Sequence, residues 1–147
     1  MSFVKGEFPA EQTHAPMLMG LLFRQVRAIF AAEDWDQLRQ SHFRVMSAVP
    51  EQGVSITELG ERVGMTKQGC GQFVNHLAAT GHLTTGPDPS DGRVRLVRRT
   101  PLGQQILDAV RERNLRIEQV WAQQVGPERY RIFRGVLQEL ALEGLPE

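Results

Sequence analysis

The run Asp88-Pro89-Ser90-Asp91-Gly92-Arg93-Val94-Arg95-Leu96-Val97-Arg98-Arg99-Thr100 constrains this chain more than any other stretch. Its first five residues are turn chemistry, since Pro presets φ, Gly accepts positive φ and Asp bonds its own backbone. With Gly86 and Pro87 ahead of them, the turn spans 86–92. The turn leads into a short strand that carries Arg93, Arg95, Arg98 and Arg99. Just upstream, two short helical patterns are separated by Gly64-Met65-Thr66. A helix-turn-helix followed by an arginine-bearing hairpin has the parts needed to read duplex DNA.

Composition bears on that reading in one respect. Lys and Arg number 17 and Asp and Glu 17, so the formal net charge is zero. Sequence-specific binding depends on local clustering and not on the sum. Here the basic cluster is 93–99, and the tail Glu139–Glu147 is acidic. A single cysteine, Cys70, excludes an internal disulfide and a cysteine-rich zinc site. No signal-peptide order is visible, and Met17–Phe23 is too short to span a bilayer, so a cytoplasmic protein without membrane contact is expected.

Residues 1–15 lack periodicity and read as a loose arm. From Pro16 to about Ala32, Leu18, Leu22, Val26 and Ile29 make a helical stripe that Met17, Met19, Leu21, Phe23 and Phe30 widen. A helix that apolar is buried on two sides, the second most simply by a partner subunit. A second helix is expected over Asp36–Val49, stopped by Pro50. Ser55-Ile56-Thr57-Glu58 reads as a reciprocal capping box. Ile56, Leu59 and Val63 then give an inner face that Gly64 closes. Thr66 caps the next helix, which runs to about Thr80 and ends at Gly81. A strand over Leu83–Thr85 leads into the turn, and Pro101 opens a long helix. Its stripe is Ile106, Val110, Ile117 and Trp121, interrupted by Asn114, an amide that would set register if buried in a dimer. Gly126-Pro127 separates it from a last helix carrying Tyr130, Phe133, Leu137 and Leu140.

At 100° per residue, Lys67, Gln68, Gly71, Gln72 and Asn75 fall within about 140°, while Cys70, Phe73, Val74 and Leu77 take another arc. Lys, Gln and Asn donate to guanine or bridge adenine edges. Gly69 and Gly71 would let the backbone approach DNA, at roughly 1 kcal/mol each in helix propensity. In the hairpin, Arg93 is assigned to the minor groove and Arg95 and Arg98 to phosphates. Asp91 would hold the Arg93 side chain by a charged hydrogen bond. The competing reading of the arginine strand is a solvated edge.

Asp88-Pro-Ser-Asp-Gly-Arg93 with Thr100-Pro-Leu-Gly103, and Thr57-Glu-Leu-Gly-Glu-Arg-Val-Gly-Met-Thr-Lys-Gln68, resemble the wing and helix-turn-helix of the MarR family of bacterial transcription factors. The resemblance covers about residues 37–103. It implies a mainly α fold with a small β-wing: one domain over 16–147, its winged helix-turn-helix at about 37–100, flanked by dimerisation helices at about 16–32 and 101–147. It also implies a homodimer on a pseudo-palindromic operator, with half-sites about one helical turn apart, Thr66 joining the DNA-binding residues, and control by a small-molecule effector. The chain departs from the pattern at Arg99, usually apolar, at Leu83–Gly86, which lacks a basic residue, and in a recognition helix with one Lys and no Arg.

Other chemistry is poorly supported. His76 lies about 240° round the helix from Cys70, so they form no nucleophile–base pair, and no enzyme is expected. A redox branch of the family uses a cysteine in the first helix, where this chain has none. His14, His42, His76 and His82 lack metal-ligand spacing, and no metal or cofactor is expected. Ligand-pocket candidates are Phe23, Arg27, Trp35, His42 and Met46, with core packing as the competing role. The expected function is a DNA-binding regulator, most simply a repressor. The alternative is a winged-helix interaction or ligand-binding module that has lost DNA binding.

Overall fold

The computed structural model describes residues 13–144. The loose arm expected over 1–15 lies outside the described residues except for its last three, and Ala15 already begins a helix. The end of the acidic tail, beyond 144, also lies outside them. The chain divides into two compact units, Met1–Gln40 and Ser41–Glu147.

In the first unit, α1 (Ala15–Ala31) has Pro16 in its opening turn, where a missing N–H costs nothing. Met17, Leu18, Met19, Phe23 and Ile29 are exposed on it, and Phe30 is buried. The chain then turns on side chains. The Trp35 indole N–H donates to the Phe30 carbonyl at 2.9 Å, their rings 5.2 Å apart. The Asp36 amide donates to the Asp34 carboxylate at 3.0 Å. Asp36 and Gln37 adopt φ of 55° and 63°. Two successive left-handed residues cannot belong to an α-helix. The helix expected from Asp36 to Val49 is therefore shorter: α2 spans Gln40–Ser47.

The second unit continues with β1 (Val54–Ser55), α3 (Ile56–Val63), α4 (Lys67–Ala79), β2 (Leu83–Asp88), β3 (Asp91–Arg99), α5 (Pro101–Val125) and α6 (Pro127–Glu143). The antiparallel sheet has the order β1-β3-β2. β2 runs three residues further than Leu83–Thr85, through Gly86-Pro87-Asp88, leaving Pro89-Ser90 as the turn. Pro87 is tolerated because β2 is an edge strand, and the register shifts beside it. The core joins Val45, Met46 and Val49 to Leu59, Val63, Cys70, Val74 and Leu77, closed by Val54, Leu83 and Val97 from the strands.

The turn between α3 and α4 is built as its residues suggest. Gly64 takes φ 69°, and the Met65 amide reaches back to the Gly60 carbonyl at 2.8 Å. Those are the left-handed residue and long back-bond of a Schellman stop. Ser55 accepts from the Glu58 amide at 3.2 Å, but the capping box is not reciprocal. The Glu58 carboxylate points forward to Arg62, at 2.8 Å.

Arginines finish the other helix ends. Arg44 donates to the Val63 carbonyl, and Arg99 donates to the Met46 and Val49 carbonyls at 2.9 and 2.6 Å. Arg99 thus adds a cationic donor to the carbonyls at and just past the end of α2, of which Met46 also accepts from the Val49 amide, a use for a cation at a position usually apolar in the resembling family.

Candidate nucleic-acid interface

Thr66 positions α4 by accepting from the Gly69 amide at 3.0 Å. From that start Cys70, Val74 and Leu77 are buried, while Lys67, Gln68, Gln72 and Asn75 are exposed. The two arcs expected from the sequence are those observed, although Phe73 is only half-buried, against the His42 ring at 5.4 Å. The glycines differ. A Cβ on Gly69 would lie 3.1 Å from the Thr66 hydroxyl, whereas one on Gly71 would meet nothing within 4 Å. Gly69 makes room for the cap, and Gly71 leaves bare backbone between Lys67 and Asn75, one turn to either side.

Two aspartate turns shape the hairpin tip. Asp88 accepts from the Ser90 amide at 2.9 Å and the Ser90 hydroxyl at 2.8 Å. The bond from the Ser90 amide, then that from its hydroxyl, holds the Asp88 carboxyl below the usual carboxylate range. Asp91 does not hold the Arg93 guanidinium as anticipated. It accepts from the Arg93 backbone amide at 3.1 Å, because a short side chain at a turn reaches the amide two residues on more easily. Asp91 shapes the backbone and leaves the Arg93 side chain exposed.

The other arginines are placed by strand alternation. Arg93 and Arg95 share one face of β3 and Arg98 lies on the other. Arg95 donates across the hairpin to the Thr85 hydroxyl at 3.1 Å. The Arg98 stem lies over Gly53, whose φ is 91° and where an added Cβ would come 3.0 Å from the Arg98 Cγ.

One contrast organises these cations. Arg44, Arg62, Arg95 and Arg99 all bond within the fold. The side chains of Lys67, Gln68, Gln72, Asn75 and Arg93 make no hydrogen bond or ion pair with any described residue.

The ligand-pocket candidates fall in both units. In the first, the Arg27 guanidinium stands 5.3 Å from the Phe23 ring, and Trp35 is buried. In the second, His42 stacks on His76 as well as on Phe73, with ring centres 5.2 Å apart, and Met46 has no exposed surface. His82 is buried with its Nδ1 2.7 Å from the Thr80 hydroxyl. Among the described residues no three His, Cys, Asp or Glu side chains converge as a metal would require. Burial raises the Cys70 thiol pKa, the opposite of what a nucleophile needs.

Sequence reasoning placed Thr100 at the start of α5 but missed its second bond. Its hydroxyl accepts from the Gly103 amide at 3.1 Å and donates to the Gly81 carbonyl at 2.5 Å. Its amide donates to the His82 carbonyl at 3.2 Å. Gly103 sits so close to that carbonyl that a Cβ would overlap it. The start of α5 is thereby fixed to the end of α4. Thr100-Pro101 announced a cap, but nothing local announced the second bond.

Comparison with known proteins places this geometry. The sequence profile of the MarR family matches residues 37–94, from the approach to α2 to the wing tip. An uncharacterised protein of Mycobacterium tuberculosis is 26% identical over 123 residues, 84% of each chain. The PcaV transcriptional regulator of Streptomyces coelicolor superposes with TM-score 0.69 at 26% identity, over 90% of this chain and 100% of that one. The fold is also that of the transcriptional repressor CouR bound to a 23-mer DNA duplex: TM-score 0.68, 19% identity, 87% of this chain and 92% of that one. Profile and fold agree: residues 37–94 match the MarR family, and the chain shares the fold of solved winged helix-turn-helix transcriptional regulators.

Proposed function

We propose that this protein is a sequence-specific regulator that binds a pseudo-palindromic operator as a homodimer and represses transcription by occupying it. The observation that carries the reading is the set of uncommitted donors. A fold that engages Arg44, Arg62, Arg95 and Arg99 internally, and Arg116, Arg131 and Arg134 along its last two helices, leaves Lys67, Gln68, Gln72, Asn75 and Arg93 unbonded to its described residues. The α4 residues are to read base edges in the major groove, and Arg93 the minor groove. Arg95 and Arg98, on opposite faces of β3, are to meet different phosphates. Acting on duplex DNA, the protein would work in the cytoplasm, and no described helix is long and apolar enough to cross a membrane.

The dimer is supported by apolar surface on the terminal helices. On α6, Ile132, Phe133, Val136, Leu137, Leu140 and Leu142 are all exposed. So much apolar surface on one helix marks an association face. Asn114, exposed in the single chain, would be tested for register in that dimer. A small-molecule effector is to relieve repression.

Selection from random duplexes, followed by titration of the enriched site at two salt concentrations, tests the reading. A palindrome should emerge, with affinity falling steeply as salt rises, because phosphate contacts release counterions. A folded dimer that enriches no sequence would favour the interaction module instead.

A further inference from the structure

Of the five aspartates in the chain, Asp91 alone is followed by glycine. A backbone nitrogen can attack the carboxyl carbon of the preceding aspartate and close a succinimide ring, and a side chain beside that nitrogen hinders the attack. Glycine removes the hindrance and gives the backbone the freedom to bend into the ring. The other aspartates lack this opening. Asp34 and Asp36 precede the bulky Trp35 and Gln37, and Asp88 precedes Pro89, whose nitrogen carries no proton to lose. Asp108 lies inside α5, where the next amide donates along the helix.

The wing tip adds to what the dipeptide offers. Asp91 and Gly92 are both exposed. Across the hairpin Pro87 pairs with Arg95 and Asp88 with Asp91, so residues 92–94 bulge out of the ladder. The bond from the Arg93 amide to Oδ1 of Asp91, at 3.1 Å, closes a loop around the Gly92 peptide. It holds the carboxyl group on the side of the Gly92 nitrogen and draws electron density from the carbon to be attacked. Gly92 is not among the glycines with positive φ, and a Cβ on it would meet nothing within 4 Å. An alanine at 92 is therefore compatible with the described fold.

We propose that Asp91-Gly92 is a self-modification site that forms isoaspartate at the wing tip without an enzyme. The Gly92 nitrogen bonds to the Asp91 carboxyl carbon, and the carboxyl hydroxyl leaves with the nitrogen's proton as water. Water then adds to the Asp91 backbone carbonyl carbon, whose bond to the Gly92 nitrogen breaks. One water is released and one consumed, with no change of oxidation state. The main chain now runs through the former side chain, one methylene longer, and the former backbone carbonyl is a free carboxylate. Net charge is unchanged, but the acceptor that held the Arg93 amide is gone and Arg93 is displaced. That this disarms the wing rests on the operator role proposed for Arg93; the isomerisation itself does not.

The full-length protein is held for several weeks, without DNA, in mildly acidic buffer at physiological temperature. Isoaspartate is counted by methyl transfer from S-adenosylmethionine, using an isoaspartyl carboxyl methyltransferase, and located by electron-transfer fragmentation of the peptides. Residue 91 should convert at least about tenfold faster than residue 108, and Gly92→Ala should slow it about tenfold, its Tm confirming the fold. The isoaspartyl form, separated by ion exchange, should bind the selected duplex at least about tenfold more weakly than unaged protein. Absence of isoaspartate at 91, equal conversion at 108, or a Gly92→Ala protein that converts at the parent rate would overturn the proposal. An isoaspartyl form that binds the duplex as tightly as the parent would overturn the disarming of the wing. A protein that converts at 91 yet enriches no duplex defeats the regulator reading and leaves the modification site standing.

Discussion

Replacing Gly71 by alanine separates what the fold needs from what a partner needs. The residue lies in the interior of α4, and its added methyl would meet no atom within 4 Å. Glycine costs about 0.8–1.0 kcal/mol relative to alanine inside a helix. The variant should therefore be more stable by roughly that amount, a rise of about 2–4 °C in Tm for a chain of this size. Protein concentration must be held constant, since the melting of any self-associating chain depends on it. Gly71 also sits one turn from both Lys67 and Asn75, so on an operator the methyl would stand between helix backbone and bases. Overpacking of a tight contact costs about 1–3 kcal/mol, which is roughly a 5- to 150-fold loss of operator affinity. The assay is a thermal melt paired with fluorescence anisotropy on the selected duplex. A protein that melts higher and binds DNA as tightly as the parent would refute the close approach of α4. Gly69→Ala is the control: its methyl crowds the Thr66 cap at 3.1 Å, and any stability gain should be smaller or reversed.

Arg93→Ala should weaken operator binding and relax preference at A·T-rich flanks with no change in Tm, measured by anisotropy on flank-substituted duplexes; unaltered flank preference would remove Arg93 from the minor groove. Gly103→Ala should destabilise by roughly 1–3 kcal/mol in urea unfolding, because its Cβ overlaps the His82 carbonyl. The Tyr130 hydroxyl, pushed up to about 12 by burial and then by its bond to Glu118, is the chain's single tyrosine, so phenolate absorbance reports it cleanly. With the folded pKa above the unfolded value near 10, its contribution to stability is complete below about pH 10 and is lost as pH rises towards about 12. A normal phenolate titration in the folded protein would contradict the contact.

Much of this architecture was legible because its signals are local. Ser55, Thr66 and Thr100 each bond an amide three residues ahead, and Gly64 and Pro101 act within one turn. Caps of that kind are written into a few consecutive residues. Asp36 and Gln37 were misread because Leu38 and Val45 fit a helical period, while the backbone just ahead of them turns left-handed, held by Asp34. Asp91 was given a plausible cation and instead took the nearer amide. Arg99 was the least legible. Its carbonyl partners lie some fifty positions earlier in the chain, and neither periodicity nor motif reports a contact across that separation.

The bonds from Thr100 make α5 a lever with α4 fixed at its base. Its 25 residues, at 1.5 Å each, span about 37 Å. If subunits join towards the far end, a rotation of about 5° at that joint displaces the base by about 3.2 Å, close to the 3.4 Å rise of one base pair. An operator's half-site spacing would then be read as an angle between subunits, and a ligand that altered this angle by a few degrees could change which DNA fits without touching a base-reading side chain.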